Sequence, residues 1–447
     1  MTKHNDGIAR TLITFTVPLI LSGLLQQLYN WADAFIVGNI VGEGALAAVG
    51  ATNAITGLFV MAITGFTSGI SILSARFYGA GDMDVQKKLL FSFTALLGVF
   101  FLAVSVAGIL GTQGMLRLLD TPADIFEMAA DYLAVILVGV PFLAVYNVYA
   151  AVLRGLGNSK APFYGILVSS VANVALDLLF VGAFHWSVVG AAVATVISQA
   201  LMTVFLVIYA VRKYEALRFR PDRALFEKGV IRQGWTISWP ITVQSVMKSV
   251  GSLVLQNFMN GFGTATVAAI TTAYRVDSVI MLPILNLSTG IATMTSQNIG
   301  AGEPGRARRC LSVGMVMMTA VSLALTALVM VLGGPLVQIF GVTPEAVAIG
   351  RAFFQAIGIF YVIYGAAMAL RGYVEGRGFV LFSGICGILS LGVRIGLSYG
   401  LVGVFEGRVI AYAEAFSWVF MFLMYGAWYV LNRRREQKPG TGIELGR

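Results

Sequence analysis

The chain has 447 residues, of which 58% are hydrophobic and only 11% charged, and no soluble globular chain of this length has that composition. The formal charge of +9 raises nucleic acid as a partner. Its distribution excludes that reading, because the basic residues fall in short loops between apolar runs.

Twelve apolar runs are predicted to span a membrane, at 11–38, 46–75, 89–111, 127–152, 161–183, 188–211, 233–260, 267–293, 311–333, 346–370, 378–400 and 409–431. Each is about 20 residues or longer, the length a helix needs to cross a bilayer core. Barrel strands need only about 10 alternating residues, so the expected fold is an all-α polytopic membrane protein. The first run carries Pro18, Gln26, Gln27 and Asp33 and is too polar and long for a cleavable signal core.

The loops alternate in charge. One set holds Arg76, Lys87 and Lys88, then Arg154 and Lys160, then Arg212 to Arg232, then Arg306, Arg308 and Arg309, then Arg371 and Arg377. Both termini join it through Lys3, Arg10, Arg433, Arg434, Arg435 and Lys438, whereas the opposite set holds only Arg117 and Arg408. Positive loops stay inside, so both termini are expected in the cytoplasm of an inner-membrane protein. That arrangement requires an even number of spans.

The two halves echo each other. Ser74 to Asp82 (SARFYGAGD) resembles Thr295 to Glu303 (TSQNIGAGE), Thr121-Pro122 resembles Thr343-Pro344, Leu153-Arg154-Gly155 resembles Leu370-Arg371-Gly372, and Pro18 resembles Pro240. Six spans per half is an even number, so both halves enter the membrane from the same side. The reading is two six-helix lobes in a parallel repeat, an arrangement transporters use to rock about a central site. The expected boundaries are 1–211 for the first lobe, 212–232 for a basic cytoplasmic linker and 233–447 for the second lobe.

Polar residues inside the spans carry the functional signal. Asp33 on span 1, Asn173 and Asp177 one turn apart on span 5, Thr195 on span 6 and Tyr132 on span 4 all fall within roughly 7–16 Å of the outer surface, at 1.5 Å of rise per residue. An ionisable group in hydrocarbon is costly and marks a cavity or ion path. Two carboxyls, an amide oxygen and hydroxyls form a hard-oxygen set suited to Na⁺ or a shared proton. Pro18, mid-helix below Asp33, frees a carbonyl and makes a candidate gating bend. Gln26, Asn30 and Lys248 are candidate cavity residues.

The repeat breaks at this cluster. Asp33 maps onto Leu255 or Val254, and a local offset of 217 places Asp177 on Arg394, Asn173 on Ser390 and Thr195 on Tyr412. The second half instead carries Lys248, Arg275, Asp277, Arg394 and Glu414. Matching depths suggest Lys248 with Asp277 and Arg394 with Glu414.

The span 1 sequence Gln26-Gln27-Leu28-Tyr29-Asn30-Trp31-Ala32-Asp33-Ala34-Phe35-Ile36-Val37-Gly38 resembles the first helix of the multidrug and toxic compound extrusion (MATE) family. So do both Gly-Ala-Gly-acid loops and the two Leu-Arg-Gly segments, and the likeness runs over essentially the whole chain. The resemblance implies two six-helix lobes forming a V around a central cavity. It also implies export of amphipathic, often cationic compounds against Na⁺ or H⁺, with the cation held by Asp33, Asn173, Asp177, Thr195 and Tyr132. Some members carry an acid on helix 7 after the proline, where this chain has Gln244.

Competing classes are a flippase for a lipid-linked sugar and a membrane enzyme. A flippase substrate is anionic and would favour a cavity rich in Arg and Lys, a reading that Lys248 supports, whereas the acidic cluster of the first half favours the exporter. His4 and His185 are the only histidines, Cys310 and Cys386 are isolated, and no GxxxxGK[ST] loop occurs, so neither catalysis nor direct ATP use is expected. The expected partners are small amphipathic substrates and membrane lipids, with no cofactor beyond the coupling ion and a monomeric chain.

Overall fold

A computed structural model describes residues 7–218 and 226–436. Long helices follow in chain order: α1 (Ile8–Ile36), α2 (Glu43–Gly79), α3 (Met83–Leu118), α4 (Phe126–Gly155), α5 (Lys160–Asp177), α6 (Ser187–Lys213) and α7 (Lys228–Asn260). After them come α8 (Thr264–Ile280), α9 (Leu282–Gly300), α10 (Pro304–Gln338), α11 (Pro344–Gly358), α12 (Tyr361–Gly376), α13 (Val380–Gly400), the single turn α14 (Val402–Phe405) and α15 (Val409–Glu436). Among the described residues nine spans are continuous, long and apolar, and two more are bent pairs. The twelfth is α7, which is long enough to cross but interrupted by Gln244 and Lys248.

Two predicted spans are broken. The eighth bends by 41° between α8 and α9, and the tenth by 53° between α11 and α12. Pro283, in the first turn of α9, has no N–H to continue the ladder of α8. At the second break Thr326 Oγ1 donates to the Gly358 carbonyl at 2.7 Å, satisfying a group the bend exposes.

Of the described residues, those within Val17–Val246 form one compact unit, and those within Met1–Thr16 and Met247–Arg447 form the other. Helices α1 and α7 therefore each begin in one unit and continue in the other. The expected linker, 212–232, lies partly outside the described residues, as do the termini. In the first unit Leu73, Leu89, Phe93, Leu133 and Leu137 are core residues; in the second Ile284, Ile291, Phe354, Tyr361 and Tyr425 are, with Leu12 of α1 packed among them.

The backbone fixes the register of the repeat. Residues with positive φ occur at Gly42 and Gly263, Gly81 and Gly302, Asp120 and Gly341, Gly157 and Gly378, and His185 and Glu406, each pair 221 apart. The offset of 217 is therefore wrong by one helical turn. Arg394 corresponds to Asn173, Ser398 to Asp177, Phe416 to Thr195 and Phe353 to Tyr132. The Leu-Arg-Gly echo slips by the same turn, since Gly155 and Gly376 are the matching contacts: a Cβ on Gly155 would lie 2.5 Å from Ser74 Cβ, and one on Gly376 2.7 Å from Thr295 Cβ.

In α1 the offset is 222, as Pro18 and Pro240 require. The extra residue is absorbed by a π-helical turn, Val37–Val41, that ends α1. A π turn closes i to i+5 and holds one residue more than an α turn, and Gly42 N bonds Val37 O in that way at 3.2 Å.

Candidate coupling-ion site

The site is built in the 17–246 unit by four helices. Tyr29 and Asp33 are one turn apart on α1, Asn173 and Asp177 one turn apart on α5, and Thr195 and Tyr132 come from α6 and α4. Asn173 and Asp177 are fully buried, Thr195 and Tyr132 nearly so, and Asp33 is half-buried. Asp177 is the last residue of α5, and a second π-helical stretch, Leu178–Ala183, follows at once. Both π segments lie just beyond the two acids, and they pack together: a Cβ on Gly182 would touch Ile40 Cδ1 at 3.8 Å.

Thr195 Oγ1 organises the neutral donors. It accepts from the Tyr29 hydroxyl and from Asn173 Nδ2, each at 3.4 Å. Turning the amide nitrogen to Thr195 leaves Asn173 Oδ1 buried without a donor, and Asp33 Oδ1 and both Asp177 oxygens are in the same condition. The Asp33 and Asp177 carboxyls are close enough to hydrogen-bond through a proton. As carboxylates both only accept, so no direct bond joins them. Tyr132 lies within electrostatic range of both acids.

A converging set of buried acceptors without donors fits a positive charge, because burying such groups unpaired is costly. The set has two carboxyls only; among the described residues no group of three or more His, Cys, Asp or Glu is placed to hold a metal. That low charge suits one monovalent cation or one proton rather than a tightly held divalent ion.

The five predicted residues thus converge. Tyr29 was missed as a member, although its i, i+4 spacing from Asp33 signalled a shared face. Gln26 and Asn30 are exposed on α1 below Asp33. Pro18 lies about 22 Å of helix rise from Asp33 and is not part of the cluster; Ser22 Oγ donates to its carbonyl at 2.8 Å. Lys248 belongs to the other unit.

That unit builds something different in the equivalent places. Arg394 Nη2 donates to Glu414 Oε2 at 2.7 Å and to the Tyr274 hydroxyl at 2.8 Å, giving the ion pair matching depths suggested. The other suggested pair does not form. Asp277 Oδ1 accepts instead from the Tyr361 hydroxyl, and Lys248 stays exposed, within the field of Asp277 and Glu414 but bonded to neither.

The MatE family model matches residues 18–179 and 240–400, the two halves of the chain. The chain belongs to the MATE family. Its two matched segments start 222 residues apart, as the prolines do. The "Probable multidrug resistance protein YoeA" of Bacillus subtilis (strain 168) is 27% identical, aligned over 97% of this chain and 96% of that protein. "Multidrug export protein MepA" of Staphylococcus haemolyticus (strain JCSC1435) is 24% identical over 94% of each. A solved structure described as an outward-facing multidrug resistance MATE family transporter superposes with a TM-score of 0.86 at 20% identity, covering 96% of both chains. MATE proteins are transporters, not enzymes, and this one is a polytopic helical membrane protein.

Proposed function

We propose that this MATE protein is a secondary active antiporter that exports amphipathic, cationic small molecules in exchange for Na⁺ or H⁺. Asp33, Asn173, Asp177, Thr195 and Tyr132 hold the coupling ion, and Tyr29 steadies Thr195. The observation that carries this reading is the convergence of four buried acceptor atoms, on Asp33, Asn173 and Asp177, that no protein donor satisfies. An ion entering there neutralises a site that is otherwise costly, so its arrival and departure change which arrangement of the helices is favoured.

The names of the relatives support drug export over the flippase alternative. The protein acts as a monomer in the cytoplasmic membrane with both termini inside, and it uses no cofactor. Purified protein in proteoliposomes loaded with ethidium tests the proposal. Efflux should accelerate when an inward gradient of Na⁺ or of H⁺ is imposed alone. Efflux unchanged by either gradient would refute antiport.

A further inference from the structure

A second polar feature lies within the 247–447 unit, at the Thr264 end of α8. A pocket of about 670 Å³ is lined by one stripe of α8 together with Asn260, Phe340 and Val342. The stripe is Thr264, Ala268, Thr271 and Arg275, spaced three and four residues apart, so these residues share one face. All four have accessible surface, while Ala269, Ile270, Ala273 and Val276 on the opposite side are buried in the core.

Arg275 is the unusual member. It stands eleven residues into α8, roughly 16 Å of helix rise from the outer end, at membrane depth. A guanidinium there requires an anion or water. Asp277 faces the other way, to Tyr361, and Glu414 is held by Arg394. Among the described residues Arg275 forms no ion pair, and the hydroxyls of Thr264 and Thr271 bond no protein group. At the constant offset the first half has Ala54 in this place, so only the second unit has the charge.

We infer that this pocket binds the anionic group of an amphipathic molecule, a carboxylate or phosphate seated on Arg275 with hydroxyl contacts from Thr271 and Thr264 and its apolar body against Val267, Phe340 and Val342. Arginine is suited to such oxyanions because its planar fork donates two parallel hydrogen bonds. The pocket is open rather than enclosed, so the group can enter it. This site is independent of the coupling ion.

The test uses the full protein in phosphatidylcholine nanodiscs, with dansylundecanoic acid as the probe and its primary amide as the neutral comparator. Empty nanodiscs correct for partition into lipid. The acid should bind saturably and the amide about tenfold or more weakly, the worth of hydrogen bonds to a charged group. Arg275→Gln should erase that preference, Arg275→Lys should keep part of it, and Ala268→Phe should block both probes by filling the groove while leaving the guanidinium. Should Arg275→Gln not fold, Ala268→Phe protein with a wild-type melting profile decides the matter. Equal binding of acid and amide by wild type, or undiminished acid binding by Ala268→Phe, would overturn the assignment. Replacing part of the lipid by phosphatidylglycerol separates the two sources of the anion. Competition with the probe identifies an anionic bilayer lipid, and unchanged probe binding identifies a free amphiphile.

Discussion

Arg394 and Glu414 show how one side chain's place in the repeat decides its role. Arg394 occupies the register position of Asn173, yet its guanidinium is committed to Glu414 and Tyr274 and stacks over the Tyr274 ring at 5.6 Å. Both partners are largely buried, with side chains 19% and 11% exposed. Removing one charge strands the other, which costs about 3–5 kcal/mol in soluble proteins. Glu414→Gln should therefore lower the yield of folded protein, and Glu414→Gln with Arg394→Gln should restore it, as read by size-exclusion recovery and melting temperature. A double variant as poorly folded as the single one would contradict the pairing. Asp277 behaves otherwise, because its partner is a neutral hydroxyl. Asp277→Asn keeps an acceptor for Tyr361 and should shift the melting temperature little, and Lys248→Gln should not alter that result.

At the scale of elements, the crossings of α1 and α7 are matched. Thr16 and Ser238 each stand two residues before a helix proline, and each packs on a glycine: a Cβ on Gly290 would lie 2.8 Å from Thr16 Oγ1, and one on Gly69 2.5 Å from Ser238 Oγ. Neither hydroxyl has a hydrogen-bond partner, so the glycine Cα–H groups face them instead. Gly69→Ala and Gly290→Ala should each destabilise by about 1–3 kcal/mol, the usual cost of overpacking. Thr16→Gly should relieve the second, measured as recovery of the melting temperature, whereas Ser238→Gly should not relieve the first, because a Cβ on Gly69 would also lie 2.5 Å from Ser238 Cα and 2.8 Å from its nitrogen. Ala variants with wild-type melting would mean the helices separate freely there. These contacts repeat because the sequence repeats, and the prolines made α1 and α7 legible as a pair. The π turns were not legible. A single extra residue in a helix leaves no compositional trace, and it surfaces only as the step from 222 to 221 in the offset. The break in the tenth span was hidden because apolar periodicity continues across a bend, whereas Pro283 marks the break in the eighth. Within the candidate site, depth counting singled out five residues that the fold brings together, because acids and amides are rare in such helices. It misassigned the second half's register because short motif echoes tolerate a slip of one turn.

For the molecule as a whole, the basic loops and the repeat together predict an orientation with both termini inside. Cysteines introduced at Lys87, Lys228 and Arg434 should be shielded from an impermeant maleimide in intact cells, and those at Glu43 and His185 should be labelled. Labelling at position 228 from outside would break the twelve-span topology. Export then depends on whether the Asp33–Asp177 cluster is where ion energy enters. Asp33→Asn is nearly isosteric and removes only a charge, so the fold is expected to persist, as wild-type melting would verify. The decisive measurement is ethidium efflux from proteoliposomes containing Asp33→Asn protein, under the Na⁺ or H⁺ gradient that drives the wild type. The gradient-driven component should vanish for Asp33→Asn and nearly vanish for Asp177→Asn. Driven efflux at the wild-type rate from Asp33→Asn protein would place the coupling ion elsewhere.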